Sequence, residues 1–378
     1  MKKESDFSQL SQTIDFLRFP LMVAVVVIHC KYSPWLQPKM FAEMGGGKIY
    51  LYFSELLSGV FCSIAVPIFF AISGFLYFHN FELTWNCYFK KSKRRVKSIF
   101  IPFFLWNLIY FFIYVLVSPS IVLDEKGLPR GIVPWISDIG TYSVLRNVVL
   151  RIIGIFINYN ASSAPIDIPF WYLRDLIVML LIAPIVYMYV KYTKRIGFIL
   201  LVIVWIFSAK YGSIPFVVPI RAQTIFFIIG AYWAVNKTEI VKYSDKMSYW
   251  LFMVYVAAAL LDWLTKGYSV NTYAHRISIL FGMMVMFKFA LYYVRKSNIQ
   301  FENTIISSIK ETSFFLYATH WIFLSLISSP LYYFAIFSGL PSTVIYIIQL
   351  PICLLIIVPL GILLNTKYPS IMKVINGR

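Results

Sequence analysis

The sequence is poor in charged residues, and this scarcity decides the class of protein. Only 13% of the 378 residues are charged, whereas a soluble domain averages about 25%. Acidic residues are the scarcest, with 16 Asp and Glu against 34 Lys and Arg, and the mean hydropathy is +0.75. The basic residues fall between apolar runs, so the net charge of +18 indicates membrane topology rather than a nucleic-acid partner. We predict an all-α integral membrane protein.

The chain also lacks the patterns of metal and nucleotide sites. Its four histidines form no HExxH motif or pair four residues apart, and its four cysteines form no CxxC pair, so no metal site is expected. The absence of a Gly-rich phosphate loop argues against a nucleoside triphosphatase. His79 and His275 lie at the ends of apolar runs, where solvated residues are expected. The first run has no small-residue cleavage site, so we expect a first span rather than a cleaved signal peptide.

Ten apolar runs are long enough, or nearly so, to cross a bilayer. The predicted spans are 15–32, 57–78, 98–118, 171–190, 196–210, 221–235, 247–264, 276–294, 314–332 and 343–364. An even number places both termini on one side. With the N-terminus inside, cytoplasmic segments hold 20 of the 34 Lys and Arg residues, so the positive-inside rule predicts a single bundle of about ten helices over residues 1–378, N-in/C-in.

The longest connection, 119–170, lies outside in this topology. Its apolar stretch 144–157 is expected to roof a cavity, with a plain interfacial helix as the alternative.

The first span carries Arg18 near one end and His29 near the other. An ionisable residue inside a spanning helix costs about 2.5–3.5 kcal/mol on insertion scales, so a retained one often has a function. The separation of eleven residues, at about 100° each, ends about 20° past three full turns, so both side chains share one wall of the helix. The alternative is that Arg18 snorkels to the headgroups and His29 lies at the far interface.

Three further features each have two interpretations. Ser73 and Gly74 of the second span either let helices pack closely, or make room for a ligand beside a hydroxyl. The basic run 90–97, KKSKRRVK, either follows the positive-inside rule and attracts anionic lipid, or binds a phosphorylated cytosolic ligand through arginine forks. Asp175 is expected to pair with Arg174 or with an arginine such as Arg221.

These segments together resemble a known family. The Arg18 and His29 pair, the stretch PIFFAISGFL, the basic loop before Ile101-Pro102, the motif FWYLRDL and the motif SFFLYATHWIF are similar to the acyltransferase 3 family of ten-span membrane acyltransferases. The similarity is greatest to bacterial surface-polysaccharide O-acetyltransferases, and it extends from Ile14 to about Leu364.

The resemblance implies roles for single residues. Arg18 and His29 match the family's essential pair and are expected to be catalytic. The other matches to family motifs are Ser73, Gly74, Arg95, Pro102, Trp171 and His320. Ser98 stands where relatives often have a second arginine, and Arg174-Asp175 is more polar than the family pattern, which suggests a substrate contact. Many relatives carry a hydrolase-like domain after the last span; this chain ends there, so we expect catalysis within the bundle.

The implied activity is O-acyl transfer in the bacterial inner membrane. An acetyl or other short acyl group would pass from cytosolic acyl-CoA, typically acetyl-CoA, to a hydroxyl of a surface glycan or its lipid-linked precursor, without a permanently bound cofactor. His29 would act as general base or carry the acyl group as an acyl-imidazole. Contacts to the oxyanion or substrate would come from Ser73, Gly74, Trp171, Arg174, Asp175 and His320. Contacts to the nucleotide of acyl-CoA would come from Arg94, Arg95 and Lys97.

A transporter or flippase of polyisoprenoid-linked sugars is the rival prediction. Ten spans with buried arginine and histidine also suit a translocation path.

Overall fold

The protein is described by a computed structural model covering residues 2–31, 47–121, 165–207, 222–237, 240–297 and 304–378. Over these ranges the chain is built of helices joined by turns, with no strand, which confirms the predicted all-α class. The α-helices are α1 (Lys2–Cys30), α2 (Gly47–Ser54), α3 (Ala65–Phe78), α4 (Trp85–Arg95), α5 (Ile101–Ile121), α6 (Trp171–Leu181), α7 (Ala183–Phe207), α8 (Ile225–Val235), α9 (Ile240–Lys246), α10 (Trp250–Leu264), α11 (Asn271–Ser297), α12 (Thr304–Glu311), α13 (Ser313–Ser338), α14 (Ser342–Lys367) and α15 (Pro369–Ile375).

Six helical runs in the described ranges are long and apolar enough to cross a bilayer. They are Phe7–Cys30, Gly47–Phe78, Trp85–Ile113, Asn271–Lys296, Ser313–Ala335 and Ser342–Lys367. Two bent pairs raise the number to as many as eight if each pair is one span, and α8 is an additional shorter apolar helix. The protein is thus a multi-pass helical membrane protein, while the predicted number of ten spans is not confirmed. The predicted roof, 144–157, lies outside the described residues.

The predicted fourth span is a broken helix, and the predicted fifth and seventh spans each follow a break in the chain direction. α7 bends by 68° from the helical segment Ile168–Leu181, and it is interrupted at Lys194, whose φ is 48°. This interruption falls between the predicted spans 171–190 and 196–210. α9 and α10 differ by 88° in direction, so the predicted span 247–264 corresponds to α10 preceded by a short crosswise helix.

The second and third spans contain irregular turns. A π-helical turn, Glu55–Phe61, and a 3-10 turn, Cys62–Ile64, join α2 to α3, and another π-helical turn, Val96–Phe100, joins α4 to α5. Such turns occur mostly as single insertions, and often at functional sites. Each one rotates the following residues around the helix axis, so hydropathy alone does not predict which side chains face inward.

Glycines allow α3 and α8 to pack backbone to backbone. A Cβ atom on Gly74 would lie 2.0 Å from the Phe227 carbonyl oxygen, and one on Gly230 would lie 2.0 Å from the Ala71 carbonyl oxygen. Close approach at small residues is the usual way in which helices associate within lipid. This contact supports the interpretation that Gly74 lets helices pack closely, because the Phe227 backbone fills the space that a ligand would need. The predicted substrate contact at Gly74 is corrected accordingly.

Several basic segments that were predicted to be cytoplasmic lie together at one end of the bundle. Arg295 donates from Nε to Gln9 Oε1 at 3.1 Å and pairs with Asp245. Arg378 pairs with Glu311 at 2.9 Å. The residues before the first span thus lie beside the segments that precede α10 and follow α11. We refer to this as the basic end; that it faces the cytoplasm remains a prediction.

Candidate functional site

Arg18 and His29 lie on a stripe of α1 that faces the bundle interior. Met22 and Val25, which lie between them on this stripe, are only 4% and 5% exposed. The Arg18 side chain is 51% exposed, and its Nη1 atom lies 2.9 Å from Asp15 Oδ1. His29 is partly buried. The shared wall predicted from the spacing is therefore turned toward protein, with Arg18 at the basic end and His29 three turns deeper.

A cluster of cations surrounds Arg18. Arg95, at the end of α4, and Lys310, on α12, both lie within electrostatic range of its guanidinium group. The Asp15 carboxylate lies near Arg18 and Lys310. Three cations around one carboxylate leave a surplus of positive charge, and an anion such as a phosphate group would stabilise this arrangement.

The predicted nucleotide contacts differ in orientation. Arg95 is half-buried and lies within electrostatic range of Tyr77 and Tyr172, whereas Arg94 and Lys97 are exposed. α4 begins at an N-cap in which Thr84 accepts a hydrogen bond from the Cys87 N–H at 3.2 Å. The helix that follows turns Arg95 inward and leaves Arg94 at the surface.

Hydroxyl and aromatic side chains, among them Ser73 and Tyr172, lie between Arg95 and the bundle interior. Ser73 Oγ lies 3.0 Å from the Tyr172 hydroxyl oxygen. The Tyr172 ring lies edge-on to Phe70, with centroids 4.6 Å apart, and edge-on to Tyr317 at 6.4 Å. Ser73 thus contacts a tyrosine that connects the cation cluster on one side with α13 on the other.

A second histidine lies beside His29. The ring centroid of His29 is 5.2 Å from that of His320 and 5.2 Å from that of Trp321. His320 is fully buried, and its Nδ1 lies 2.7 Å from the Tyr317 carbonyl oxygen. A carbonyl oxygen only accepts, so Nδ1 carries the proton and Nε2 of the neutral ring is an acceptor. This Nε2 has no hydrogen-bond partner among the described residues.

The hydroxyl of Tyr110 is inserted into α13 at this position. It donates to the Ala318 carbonyl at 2.8 Å and accepts from the Ile322 N–H at 3.1 Å. These two backbone groups would bond each other in a regular α-helix. An inserted side chain loosens the helical ladder locally, so the turn that carries His320 and Trp321 is held partly by α5.

Two other helices hold the end of α1 that carries His29. Ser58 Oγ donates to the Val27 carbonyl at 2.8 Å, and Gln349 Nε2 donates to the Cys30 carbonyl at 3.4 Å. Both donors are buried. The last carbonyls of a helix have no partners within it, so these bonds satisfy two of them and fix the rotation of the final turn.

The remaining predicted contacts lie on α6. Arg174 and Asp175 are 2% and 4% exposed, and Nε lies 3.3 Å from Oδ1, so the predicted pairing of these two residues is confirmed. Arg221 lies outside the described residues. The Trp171 ring lies 6.4 Å from Phe70, near the Tyr172 path. A buried ion pair of neighbouring residues is expected to be costly to break.

Of the two histidines predicted at span ends, His275 has a partner that the sequence did not reveal. Its Nδ1 lies 2.9 Å from Oδ2 of the fully buried Asp262, whose Oδ1 accepts from Lys266 at 3.0 Å. Asp262 is thus paired with both His275 and Lys266. His79 stacks on Phe7 with centroids 4.4 Å apart. Burial and the nearby Lys91 ammonium group lower the pKa of His79.

Sequence reasoning missed several residues of this region. Tyr172, Tyr317 and Trp321 lie within the two aromatic motifs that pointed to the family, and their polar atoms beside predicted site residues were the signal that could have found them. Asp167 precedes the Ile-Pro-Phe turn before α6 and is fully buried. A lone aspartate at the end of a long loop carries no comparable signal in the sequence.

The fold and the site define a polytopic membrane protein with a cation cluster at one end of the bundle and two adjacent imidazoles deeper inside it. The chain belongs to the family described as "Acyltransferase domain", whose model matches residues 12–366. The chain is also similar to the succinoglycan biosynthesis protein ExoH of Rhizobium meliloti (strain 1021), with 23% identity over 189 residues. This match covers 50% of the chain and 45% of the relative, so it spans about half of each protein. No solved structure matches the chain.

Proposed function

We propose that the protein is a membrane O-acyltransferase of the bacterial inner membrane. It transfers an acetyl or other short acyl group from cytosolic acyl-CoA to a hydroxyl of a surface glycan or its lipid-linked precursor. Family membership supports acyl transfer, and the biosynthetic role in the relative's name supports a polysaccharide acceptor. The observation that carries the proposal is the position of His29, on one stripe of α1 with Arg18 and beside His320.

The transfer needs a base and a place for negative charge. His29 removes the proton of the acceptor hydroxyl while the oxygen attacks the thioester carbonyl, and the imidazolium then returns the proton to the departing CoA thiolate. In the alternative, the His29 imidazole attacks the thioester carbonyl and the CoA thiolate leaves; the acceptor oxygen then displaces the imidazole from the acyl group while its proton passes to the thiolate. A metal is not required, because a thiolate is a good leaving group. The Ser73 hydroxyl contacts Tyr172 near Arg95, so it is a donor for the bound acyl-CoA rather than for the oxyanion beside His29.

The donor binds at the basic end. The phosphates of acyl-CoA contact Arg18, Arg95 and Lys310, where positive charge is in surplus. Arg94 and Lys97 are exposed beside Arg95 and attract the nucleotide from the surface. The pantetheine arm then extends along the α1 stripe toward His29, past Met22 and Val25, which must separate from their neighbours to admit it.

Binding of CoA distinguishes this function from the rival transport function. CoA at about 100 times its Kd should stabilise the purified protein in nanodiscs by about 2.7 kcal/mol. Pantetheine, which lacks the phosphates, is the matched ligand and should stabilise it less. A flippase has no reason to bind CoA, so the absence of any shift with both CoA and acetyl-CoA would contradict the proposal.

The acceptor is identified by comparing glycans. Mass spectrometry of surface polysaccharide from strains with and without the gene should show the acyl mass increment lost in the deletion strain. It should return with the wild-type gene and stay absent with the gene for His29→Ala. Unchanged acylation in the deletion strain would refute the glycan assignment.

A further inference from the structure

We propose that Asp167, His320 and Trp321 form the acceptor subsite, which binds two neighbouring hydroxyls of a sugar ring. This inference rests on the proposed function and adds to it the part of the interior where the acceptor lies. Asp167, its central residue, belongs to none of the sequence motifs described above.

The Asp167 carboxylate is buried beside the Tyr110 hydroxyl. The residue is 0% exposed, and neither carboxylate oxygen has a hydrogen-bond partner among the described residues. Tyr110 lies beside it, but the Tyr110 hydroxyl donates its single proton to Ala318. An unpaired carboxylate in a low-dielectric interior is strongly unfavourable. A ligand that donates hydrogen bonds would compensate for this burial.

The Asn107 side chain holds the backbone that carries this carboxylate. Asn107 Oδ1 accepts from the N–H groups of Ile166 at 2.8 Å and Asp167 at 3.3 Å, while Asn107 Nδ2 donates to Phe103 at 2.7 Å. Asn107 is itself buried. A residue held this rigidly at a buried position suits a binding role, because little entropy remains to be lost when a ligand binds.

Asp167 lies beside Tyr317, which precedes His320 and Trp321 by one turn of α13. The Tyr317 hydroxyl donates to the Pro169 carbonyl at 2.7 Å, and the Asp167 carboxylate lies within electrostatic range of Tyr317. His320 and Trp321 follow Tyr317 by three and four residues, so they lie one turn further along the same face of α13. The His29 ring lies 5.2 Å from both of their rings, which places the group that accepts the proton next to this face.

The available hydrogen-bonding atoms match a diol. Asp167 offers carboxylate oxygens and His320 offers the Nε2 lone pair, while Trp321 offers the Nε1 N–H, and none of these atoms has a hydrogen-bond partner among the described residues. The reacting hydroxyl gives its proton to His29, so the neighbouring hydroxyl donates its single proton to Asp167 or to His320 Nε2, while the hydroxyl oxygens accept from Trp321 Nε1. The Trp321 indole adds an apolar face, against which the C–H side of a sugar ring can pack.

The test measures transfer from acetyl-CoA to octyl β-D-glucoside, octyl β-D-galactoside and octyl β-D-mannoside in nanodiscs. Asp167→Asn should raise the KM for the accepted glycoside by about tenfold to a hundredfold, the range of a hydrogen bond to a charged group. The KM for acetyl-CoA and the stabilisation by CoA should stay unchanged. Trp321→Phe, which keeps an aromatic ring but loses the N–H, should raise the same KM by a smaller factor. Asp245→Asn, a matched carboxylate at the surface, should leave both constants unchanged.

The outcomes separate the subsite from the proposed function. If wild-type protein acetylates a glycoside and Asp167→Asn acetylates it with the same KM, the subsite is wrong while the function stands. If the wild type hydrolyses acetyl-CoA slowly but acetylates none of the three glycosides, the sugar assignment is overturned. If the wild type neither binds nor uses acetyl-CoA, the proposed function fails and the acceptor subsite is overturned with it. Should Asp167→Asn fold poorly, as judged by lost CoA stabilisation, Trp321→Phe decides, and an unchanged acceptor KM there overturns the proposal.

Discussion

Replacing Gly74 with alanine tests whether this motif glycine is needed for helix packing. The added Cβ would lie 2.0 Å from the Phe227 carbonyl oxygen, whereas ordinary contacts begin at 3.4 Å, so α3 and α8 must separate by more than 1 Å. Overpacking of this kind costs about 1–3 kcal/mol. The unfolding free energy of Gly74→Ala, measured by thermal or denaturant unfolding in detergent, should fall by about this amount.

The reciprocal contact makes the prediction sharper. Once one Cβ has separated the helices, a second on Gly230 meets less resistance, so the double variant Gly74→Ala/Gly230→Ala should lose clearly less than the sum of the two single losses. Gly59→Ala is the control, because its Cβ would meet the end of the Glu55 side chain, which can rotate away. A Gly74→Ala protein that is as stable as the wild type but has lost acyl transfer would refute the packing explanation and restore a ligand contact.

Three further predictions concern the charges and the end of α1. Arg95→Gln should raise the KM for acyl-CoA about tenfold or more while Arg94→Gln raises it less, because Arg95 turns inward; equal effects in steady-state kinetics would contradict this orientation. Ser58→Ala should cost about 1–3 kcal/mol in unfolding experiments and lower kcat more than it changes the KM for acyl-CoA, because it releases the turn that carries His29; an unchanged kcat would show that this bond does not position the imidazole. Asp262→Asn should cost about 3 kcal/mol, since it leaves Lys266 without its buried partner, whereas Asp245→Asn at the surface should cost less than about 1 kcal/mol.

The helices were predictable because the length of an apolar run is a local property. Their breaks were not. The break at Lys194 falls between two predicted spans, but the bend before Ala183 lies in sequence that continues to read as helix, and the turn at 55–61 has no distinguishing residue. The number of spans could not be predicted for the same reason, because a run of apolar residues has the same composition whether it crosses the membrane as a straight helix or bends.

The site was predictable where it follows helical spacing. The shared stripe of Arg18 and His29 needed only the 100° rotation per residue, and the Arg174 and Asp175 pair needed only adjacency. Helical spacing could not predict the neighbour of His29, because His320 lies on α13, a helix far from α1 in the sequence. Gly74 was ambiguous because its packing partner, Gly230, lies on a distant segment.

The central claim is that His29 is the base for acyl transfer. Its most direct test is the rate of a single turnover, with labelled acetyl-CoA and acceptor in nanodiscs, for wild type, His29→Ala and the control His79→Ala at the basic end. The account predicts that His29→Ala slows transfer by about 10²–10⁴ while CoA still stabilises the protein, and that His79→Ala leaves the rate near that of the wild type. Transfer by His29→Ala at the wild-type rate would contradict the account.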